Sequence, residues 1–288
     1  DYEHLGNTLI LVSHALTIPQ ELGRLTATFR LNLPSDEELL GLVRDQAHEW
    51  GRLHKGRKVT TDKKTLDKLI ANLRGVTHSD AQVLIRRAVF ADGVISDGDI
   101  PELNKLKFEL LDAEGVLHYE YDTESFANVA GLENLKGWLR LREQELLKPG
   151  GKDRPKGLLL LGVQGSGKSL AAKSVAGLFG VPLLRLDFGA LYNKYFGEPE
   201  RNLRTSLRQA EQMAPCVLWM DEIEKGGMAR AGEPVVIKRV LATMLTWMAE
   251  NKKPVFIVAT SNDIAQLPPE LVRKGRLDEI FFVDLPDL

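Results

Sequence analysis

The sequence holds a single cysteine, Cys216, in 288 residues, so it can form no internal disulfide and suits a reducing compartment. Set in an apolar strand pattern, Cys216 reads as a small buried hydrophobe. Long apolar runs are also missing, and nothing approaches the roughly 20 residues that a helix needs to span a bilayer. The first residues, Asp1-Tyr2-Glu3-His4, show neither an initiator Met nor a positive segment followed by an apolar one. The expectation is therefore a chain that is cut or processed and carries no secretory signal. An excess of one charge sign is absent as well: 38 Lys and Arg stand against 40 Asp and Glu, a formal net of −2. That balance argues against a dedicated nucleic-acid coat or a polybasic anchor and leaves room for a local basic patch. The histidines show no metal-ligand spacing, since His48-Glu49 lacks a second His four residues on. Asp97-Gly98-Asp99 offers too few ligands for a calcium loop and reads as a turn. Lys152, Arg154 and Lys156 read as a solvated basic loop, and Trp138, Trp219 and Trp247 as core.

What is present falls into two patterns. Short strands are expected at 7–13 and 28–33. From Ser35 the apolar period becomes helical, with Ser35 and Glu38 at the spacing of a capping box and Leu42, Val43, Ala47 and Trp50 following. Further helices are expected at 66–73, 79–90 and 100–111. A polar connector over about 118–125 leads to a helix at 132–147. Strands at 157–161, 183–187, 217–220, 255–259 and 280–283 then alternate with helices. Continuous apolar strands alternating with helices imply a mostly parallel sheet covered on both faces.

The segment from Ser13-His14 through Pro19-Gln20-Glu21-Leu22 to Phe29-Arg30-Leu31-Asn32-Leu33-Pro34 echoes the segment from Ser261-Asn262 through Pro268-Pro269-Glu270-Leu271 to Phe281-Phe282-Val283-Asp284-Leu285-Pro286. Two related α/β units are one reading of this repeat, and chance similarity of two strand-turn-strand segments is the other.

Chemistry concentrates in the second half. Gly162-Val163-Gln164-Gly165-Ser166-Gly167-Lys168-Ser169 fits G-x-x-x-x-G-K-[ST], follows the apolar run Leu158–Leu161 and opens a helix at Leu170. Glycines at 162, 165 and 167 let backbone N–H groups turn toward phosphate oxygens, and the helix N-terminus adds partial positive charge. Lys168 is expected to reach the β- and γ-phosphates of a nucleotide, with Ser166 and Leu170 in the loop and the Ser169 hydroxyl on Mg²⁺. A second apolar strand ends in Asp221-Glu222, where Asp221 can hold Mg²⁺ and Glu222 can polarise the attacking water. Glu224 and Lys225 read as surface or hinge residues. Asn262 ends a third strand, where it can touch the water and the γ-phosphate. Arg273 and Arg276 follow, as arginines able to neutralise charge on a transferring phosphoryl group.

Together these segments resemble the AAA family of ATPases, and Asn128-Val129-Ala130-Gly131-Leu132-Glu133, Ala214-Pro215-Cys216-Val217-Leu218-Trp219 and Pro254-Val255-Phe256-Ile257 resemble its ycf-type branch. The resemblance implies an α/β fold of the P-loop NTPase, AAA type: a parallel sheet with helices on both faces, preceded by a small all-helical lid-like domain. It places Val129, Ala130 and Gly131 beside the adenine, makes Asn262 the sensor, and makes Arg273 and Arg276 fingers acting on a neighbour in a ring, usually of six. Leu191-Tyr192-Asn193-Lys194-Tyr195-Phe196-Gly197-Glu198 resembles a pore loop, with Lys194, Tyr195, Phe196 and Gly197 at its tip. Residues 225–232 fit a second pore loop or a mobile surface loop. With the repeat, the implied layout is a degenerate AAA-like end at 1–34, a lid-like domain at 35–118, a linker with the adenine-side segment at 119–150, and an ATPase core at 151–288 without its own lid. His14 at the position of Asn262, and no early counterpart of Arg273-Lys274-Gly275, make the first half non-catalytic. A chain ending at Leu288 is expected to be a fragment, weak in nucleotide binding and in ring assembly.

The leading functional reading is an ATP-driven machine, a ring of copies of itself, that remodels an unidentified protein substrate in the cytoplasm or chloroplast stroma without membrane contact. The rivals are a nucleic-acid-associated machine on the same core, disfavoured by the charge balance, and a nucleotide-dependent assembly switch with little turnover.

Overall fold

The computed structural model describes residues 8, 10, 11, 18, 20–27, 29, 32–111, 116–121, 131–148, 154–192, 199–226, 235–273 and 275–285. The chain divides into two units, Asp1–Asn32 and Leu33–Leu288. The first contributes a short 3-10 turn, Gln20–Leu22. His14 and at least half of each strand expected at 7–13 and 28–33 lie outside the described residues.

The second unit opens with four helices. Helix α1 (Asp36–Leu53) starts at the Ser35 capping box: the Ser35 N–H donates to Glu38 Oε2 at 2.7 Å and the Glu38 N–H donates to Ser35 Oγ at 3.4 Å. Helix α2 (Lys63–Leu73) starts three residues before its apolar periodicity, because Asp62 caps it by accepting the Thr65 N–H at 2.9 Å. Thr77 does the same for α3 (His78–Phe90), and α4 (Asp99–Leu110) follows. Leu39, Trp50, Leu69, Leu73, Ile85 and Val89 are buried in one apolar cluster shared by these helices, each such side chain contributing about 1.5–3 kcal/mol. Lys107 of α4 is fully buried among them. Its Nζ donates to the Asn72 and Arg74 carbonyls at 2.8 and 2.6 Å, which caps the C-terminus of α2. Burial pushes its pKa down to about 7.

An α/β core follows: β1 (Leu117–Glu120), α5 (Glu133–Leu147), β2 (Gly157–Leu161), α6 (Lys168–Phe179), β3 (Leu183–Leu186), α7 (Phe188–Leu191), α8 (Pro199–Met213), β4 (Cys216–Met220), α9 (Val235–Glu250), β5 (Val255–Ser261), α10 (Pro269–Val272) and β6 (Glu279–Phe282). The sheet order is β1-β3-β4-β5-β2-β6, with β1 antiparallel to β3 and the other neighbours parallel. Strand β1 corrects the expectation of a polar connector from 118. Its alternation of buried Leu117, exposed His118 and half-buried Tyr119 is only four residues long, and its polar members obscured it. Helices α8 and α9 cover one face through Leu203, Leu207, Val240 and Met244, and α5 and α6 cover the other through Leu135, Leu139, Ala172 and Val175. Cys216 is buried in β4, and Gln209 of α8 donates to the Leu111 carbonyl at 3.3 Å, joining the helical layer to the core.

The loop at 154–156 is not simply solvated. Lys156 Nζ donates to the Met248, Ala249 and Gly275 carbonyls at 3.3, 2.9 and 2.7 Å, while Arg154 donates to the Lys252 and Lys148 carbonyls at 2.8 and 3.0 Å. Free carbonyls at the end of α9 attract these cations. Lys152 lies outside the described residues. Among the described residues no helix is long and apolar enough to cross a membrane. Because β2, β4 and β5 run parallel, the segments leaving their carboxyl ends gather at one edge of the sheet, where α/β folds bind ligands.

Candidate functional site

The buried strand β2 delivers the chain into Gly162. A Cβ there would stand 2.1 Å from the Val283 carbonyl oxygen and 2.9 Å from Ser166 Oγ, so only glycine fits. Gly165 and Gly167 have φ of +84° and +92° and open space around them, a left-handed turn that aims backbone N–H groups inward. Helix α6 begins at once with Lys168. This residue is 7% exposed, and its Nζ donates to the Gly162 and Val163 carbonyls, both at 2.7 Å. An ammonium has three donors, so one N–H stays available to a ligand. Ser166 Oγ is buried with no hydrogen-bond partner among the described residues. Ser169 and Leu170 are exposed in the first turn of α6. An open amide cradle, an unsatisfied buried hydroxyl, a clamped cation and a helix N-terminus form a set that phosphate oxygens satisfy.

The Gly162 N–H donates to the Ser261 carbonyl at 3.2 Å, which ties this loop to the end of β5 and to a second cluster. Thr260 of β5 is fully buried. Its Oγ1 donates to Asp221 Oδ1 at 2.7 Å and accepts the Glu222 N–H at 2.9 Å. Glu222 has φ of +46°, an unfavourable left-handed conformation for a non-glycine, and the Thr260 hydroxyl helps to hold it there. Asn262 Nδ2 donates to Glu222 Oε1 at 3.3 Å and to Glu224 Oε1 at 2.8 Å, and its backbone N–H donates to Glu224 Oε1 at 3.0 Å. Glu224, expected as a surface or hinge residue, is half-buried and bonded to Asn262. The 3-10 turn Ile223–Gly226 folds it back onto Asn262, and its Oε2 is buried with no partner among the described residues. Asp221 Oδ2 lies 3.6 Å from Arg185 Nη2. The cluster combines a carboxylate able to hold a hard cation, a second carboxylate able to accept a proton, and an amide bound to the second.

The other expected site residues are dispersed. Arg273 is exposed, whereas Arg276 is half-buried and donates to the Glu270 carbonyl of α10. Among the described residues neither forms a hydrogen bond or ion pair with the phosphate loop or the acidic cluster. Gly131 has φ of +70° just before α5, while Val129 and Ala130, Lys194 to Gly197 and residues 227–234 lie outside the described residues. A cleft of about 970 Å³ between α8 and α9, lined by Glu200, Arg204, Glu211 and Trp247, shares no residue with either cluster.

Thr260, Glu224 and Arg185 stand at this site although the sequence pattern around them assigns none of them a role in it. Each left a signal: the first of two polar residues, Thr260 and Ser261, that close the apolar strand Val255–Ser261, a third acid two positions after Glu222, and a lone cation in the run Leu-Leu-Arg-Leu of β3.

Residues 158–285 match the family described as "ATPase family associated with various cellular activities (AAA)", and residues 37–114 match "SpoVK-like AAA ATPase, second domain". The chain is 36% identical to the uncharacterized AAA domain-containing protein ycf46 of Trieres chinensis over 286 residues, 98% of this chain and 56% of that protein. Over 178 residues it is 32% identical to the cell division cycle protein 48 homolog of Archaeoglobus fulgidus, covering 58% of this chain and 24% of that one. Over 177 residues it is 34% identical to the ATP-dependent zinc metalloprotease FtsH of Syntrophobacter fumaroxidans, covering 58% and 27%. The chain thus spans about half the length of the ycf46 protein it matches and less of the other two.

Proposed function

The chain belongs to the AAA family of ATPases, and from that premise we propose that it hydrolyses ATP to ADP and phosphate to remodel or translocate a protein substrate through a ring of its own copies. The observation that carries the hydrolytic part is the junction of the phosphate loop, with its clamped Lys168 and unsatisfied Ser166, to the Asp221–Glu222–Asn262 cluster through Gly162 and Ser261. In this reading the backbone of 162–169 cradles the phosphates and the remaining Lys168 N–H neutralises the β- and γ-oxygens. Ser169 and Asp221 would hold Mg²⁺, which when bound neutralises phosphate charge and aligns the transferring group. Glu222 takes a proton from the attacking water, and Asn262 fixes where that water and the Glu222 carboxylate stand. Val129, Ala130 and Gly131 flank the adenine, and exposed Arg273 reaches a neighbour's site. For Arg276 the same role requires it to leave the Glu270 carbonyl.

A ring of six with Lys194, Tyr195, Phe196 and Gly197 gripping an extended polypeptide is the mechanical half of the proposal, supported by a relative named for ATP-dependent proteolysis. Cytoplasm or chloroplast stroma suits a chain whose one cysteine is buried and reduced. Phosphate release from Mg²⁺–ATP, measured with and without an unfolded protein and alongside sedimentation, tests the whole reading. Turnover that rises with the unfolded protein, in a ring-sized species, supports it. Absence of turnover in an assembled ring overturns the hydrolytic part, and turnover indifferent to polypeptide overturns the substrate.

One observation favours a second reading, a nucleic-acid-associated machine on the same core. Residues 52–68 hold seven Lys and Arg against two Asp, and Arg52, Lys55, Arg57, Lys58, Lys63 and Lys64 are all exposed around the α1–α2 loop. Stimulation of phosphate release by DNA or RNA and not by unfolded protein would select it.

A further inference from the structure

Asp221 is shared between two protein groups, and the reaction proposed above uses neither. Its Oδ1 accepts the Thr260 hydroxyl, while its Oδ2 lies 3.6 Å from Arg185 Nη2. Arg185 stands in β3 opposite Trp219 of β4, with its guanidinium carbon 5.2 Å from the centre of that ring. Its Nη1 is 3.7 Å from Glu120 Oε1 on β1, and its Nε is buried with no partner among the described residues. Glu120 Oε2 is in turn 3.9 Å from Lys173 Nζ on α6, one helical turn beyond Ser169. The Asp221 and Glu120 side chains are each only 21% exposed, so solvent and salt screen this chain of charges incompletely.

We infer that the Arg185–Glu120 ion pair sets the divalent-cation affinity of Asp221, with Arg185 as an internal competitor for the carboxylate and Glu120 as the group that draws the competitor off. The inference rests on the reading of Asp221 as a metal-holding residue. An arginine cannot give up its proton, so its charge beside Asp221 is permanent. A divalent cation held by the same carboxylate is repelled by that guanidinium. Glu120, bound to its other end, neutralises part of the charge and reduces the repulsion. Opposite consequences follow from removing the two members of one pair. Arg185→Met removes the competitor and tightens cation binding. Glu120→Gln leaves Arg185 to Asp221 alone, also releases Lys173, and weakens it. A pair that merely fastened β1 and β3 would weaken binding from either side.

The test is Mn²⁺ binding, followed by electron paramagnetic resonance, to the protein saturated with the non-hydrolysable β,γ-imido analogue of ATP, so that turnover plays no part. Arg185→Met is expected to tighten Mn²⁺ about fivefold, and Glu120→Gln to weaken it about fivefold, the range of partly exposed ion pairs. Arg185→Lys, which keeps the charge, should stay near wild type. Changes of the same sign in Arg185→Met and Glu120→Gln, or no change in either, overturn the inference. If Arg185→Met does not fold, Glu120→Gln decides alone: weaker Mn²⁺ at unchanged Tm supports the regulator, and unchanged affinity overturns it. Asp221→Asn separates the two levels. Unaltered Mn²⁺ affinity in that variant removes the metal from Asp221 and the premise with it, whereas weakened affinity beside silent Arg185 and Glu120 variants removes only the inference.

Discussion

The phosphate loop and the acidic cluster face the same edge of the sheet and are built in opposite ways. The loop is one continuous stretch, 162–169, whose geometry comes from three glycines and a helix start, and whose cation bonds to carbonyls five and six residues away. The acidic cluster draws on β4, β5 and the 3-10 turn after β4, and its contacts join residues about 40 positions apart: Thr260 to Asp221, and Asn262 to Glu222 and Glu224. A local device is insensitive to small shifts between strands. A device assembled across strands is only as well placed as the register of β4 on β5, Met220 against Ala259. The loop should therefore govern binding, and the cluster should govern rate and depend on its supports.

Four substitutions probe that division, and a fifth probes what lies outside it. Lys168→Ala should abolish tight ATP binding in calorimetry, because it deletes the side-chain cation of the loop and its charge-assisted contact to phosphate. Retained affinity would place binding elsewhere. Glu222→Gln should bind ATP normally and release phosphate about 10²–10⁴-fold more slowly, the usual cost of losing a general base. Parallel loss of binding would erase the contrast between the two regions. Thr260→Val keeps the shape and removes the hydroxyl that holds both acids, so a fall of about 10–100-fold in turnover with unchanged ATP affinity is expected, with Thr260→Ser near wild type. A Thr260→Val variant at the wild-type rate would show that the cluster needs no such support. Glu224→Gln keeps an acceptor for Asn262 and loses only its charge, so turnover should drop about fivefold. A larger loss would make Glu224 a reacting group and not a support.

Lys107, in the helical layer, should leave turnover untouched and report on stability alone. Its folded pKa of about 7 lies below the ordinary lysine value of 10.5, so the unfolded chain binds the extra proton between those two pH values. Stability should therefore rise with pH across that window, by up to about 1.4 kcal/mol per unit, and not depend on this group below it. Urea unfolding at pH 7, 8 and 9 should show that slope in the wild type and lose it in Lys107→Met. Equal slopes would mean that the two carbonyls keep the ammonium charged.

Much of this was legible in the sequence for reasons that differ by element. Strands β2, β4 and β5 are buried on both faces and announce themselves as unbroken apolar runs, and α1 announces itself through Ser35 and Glu38. Strand β1 did not, because an edge strand of four residues alternates with polar side chains and resembles a connector. Lys156 and Arg154 were read as solvated because nothing local shows that the carbonyls at the end of α9 stand above them. Glu224 reads from sequence as a surface or hinge residue because its partner, Asn262, lies 38 residues on.

The sequence by itself determined the phosphate loop, the apolar strands and the helical starts, since each rests on interactions within a few residues: backbone freedom at glycine, side-chain caps, and burial that requires unbroken apolar runs. Only the tertiary structure decided which polar groups share the carboxylates. Hydrogen bonds and ion pairs act over about 3–4 Å, and whether Thr260, Glu224 or Arg185 comes that close to Asp221 or Asn262 depends on strand order and register, which no short window of sequence encodes.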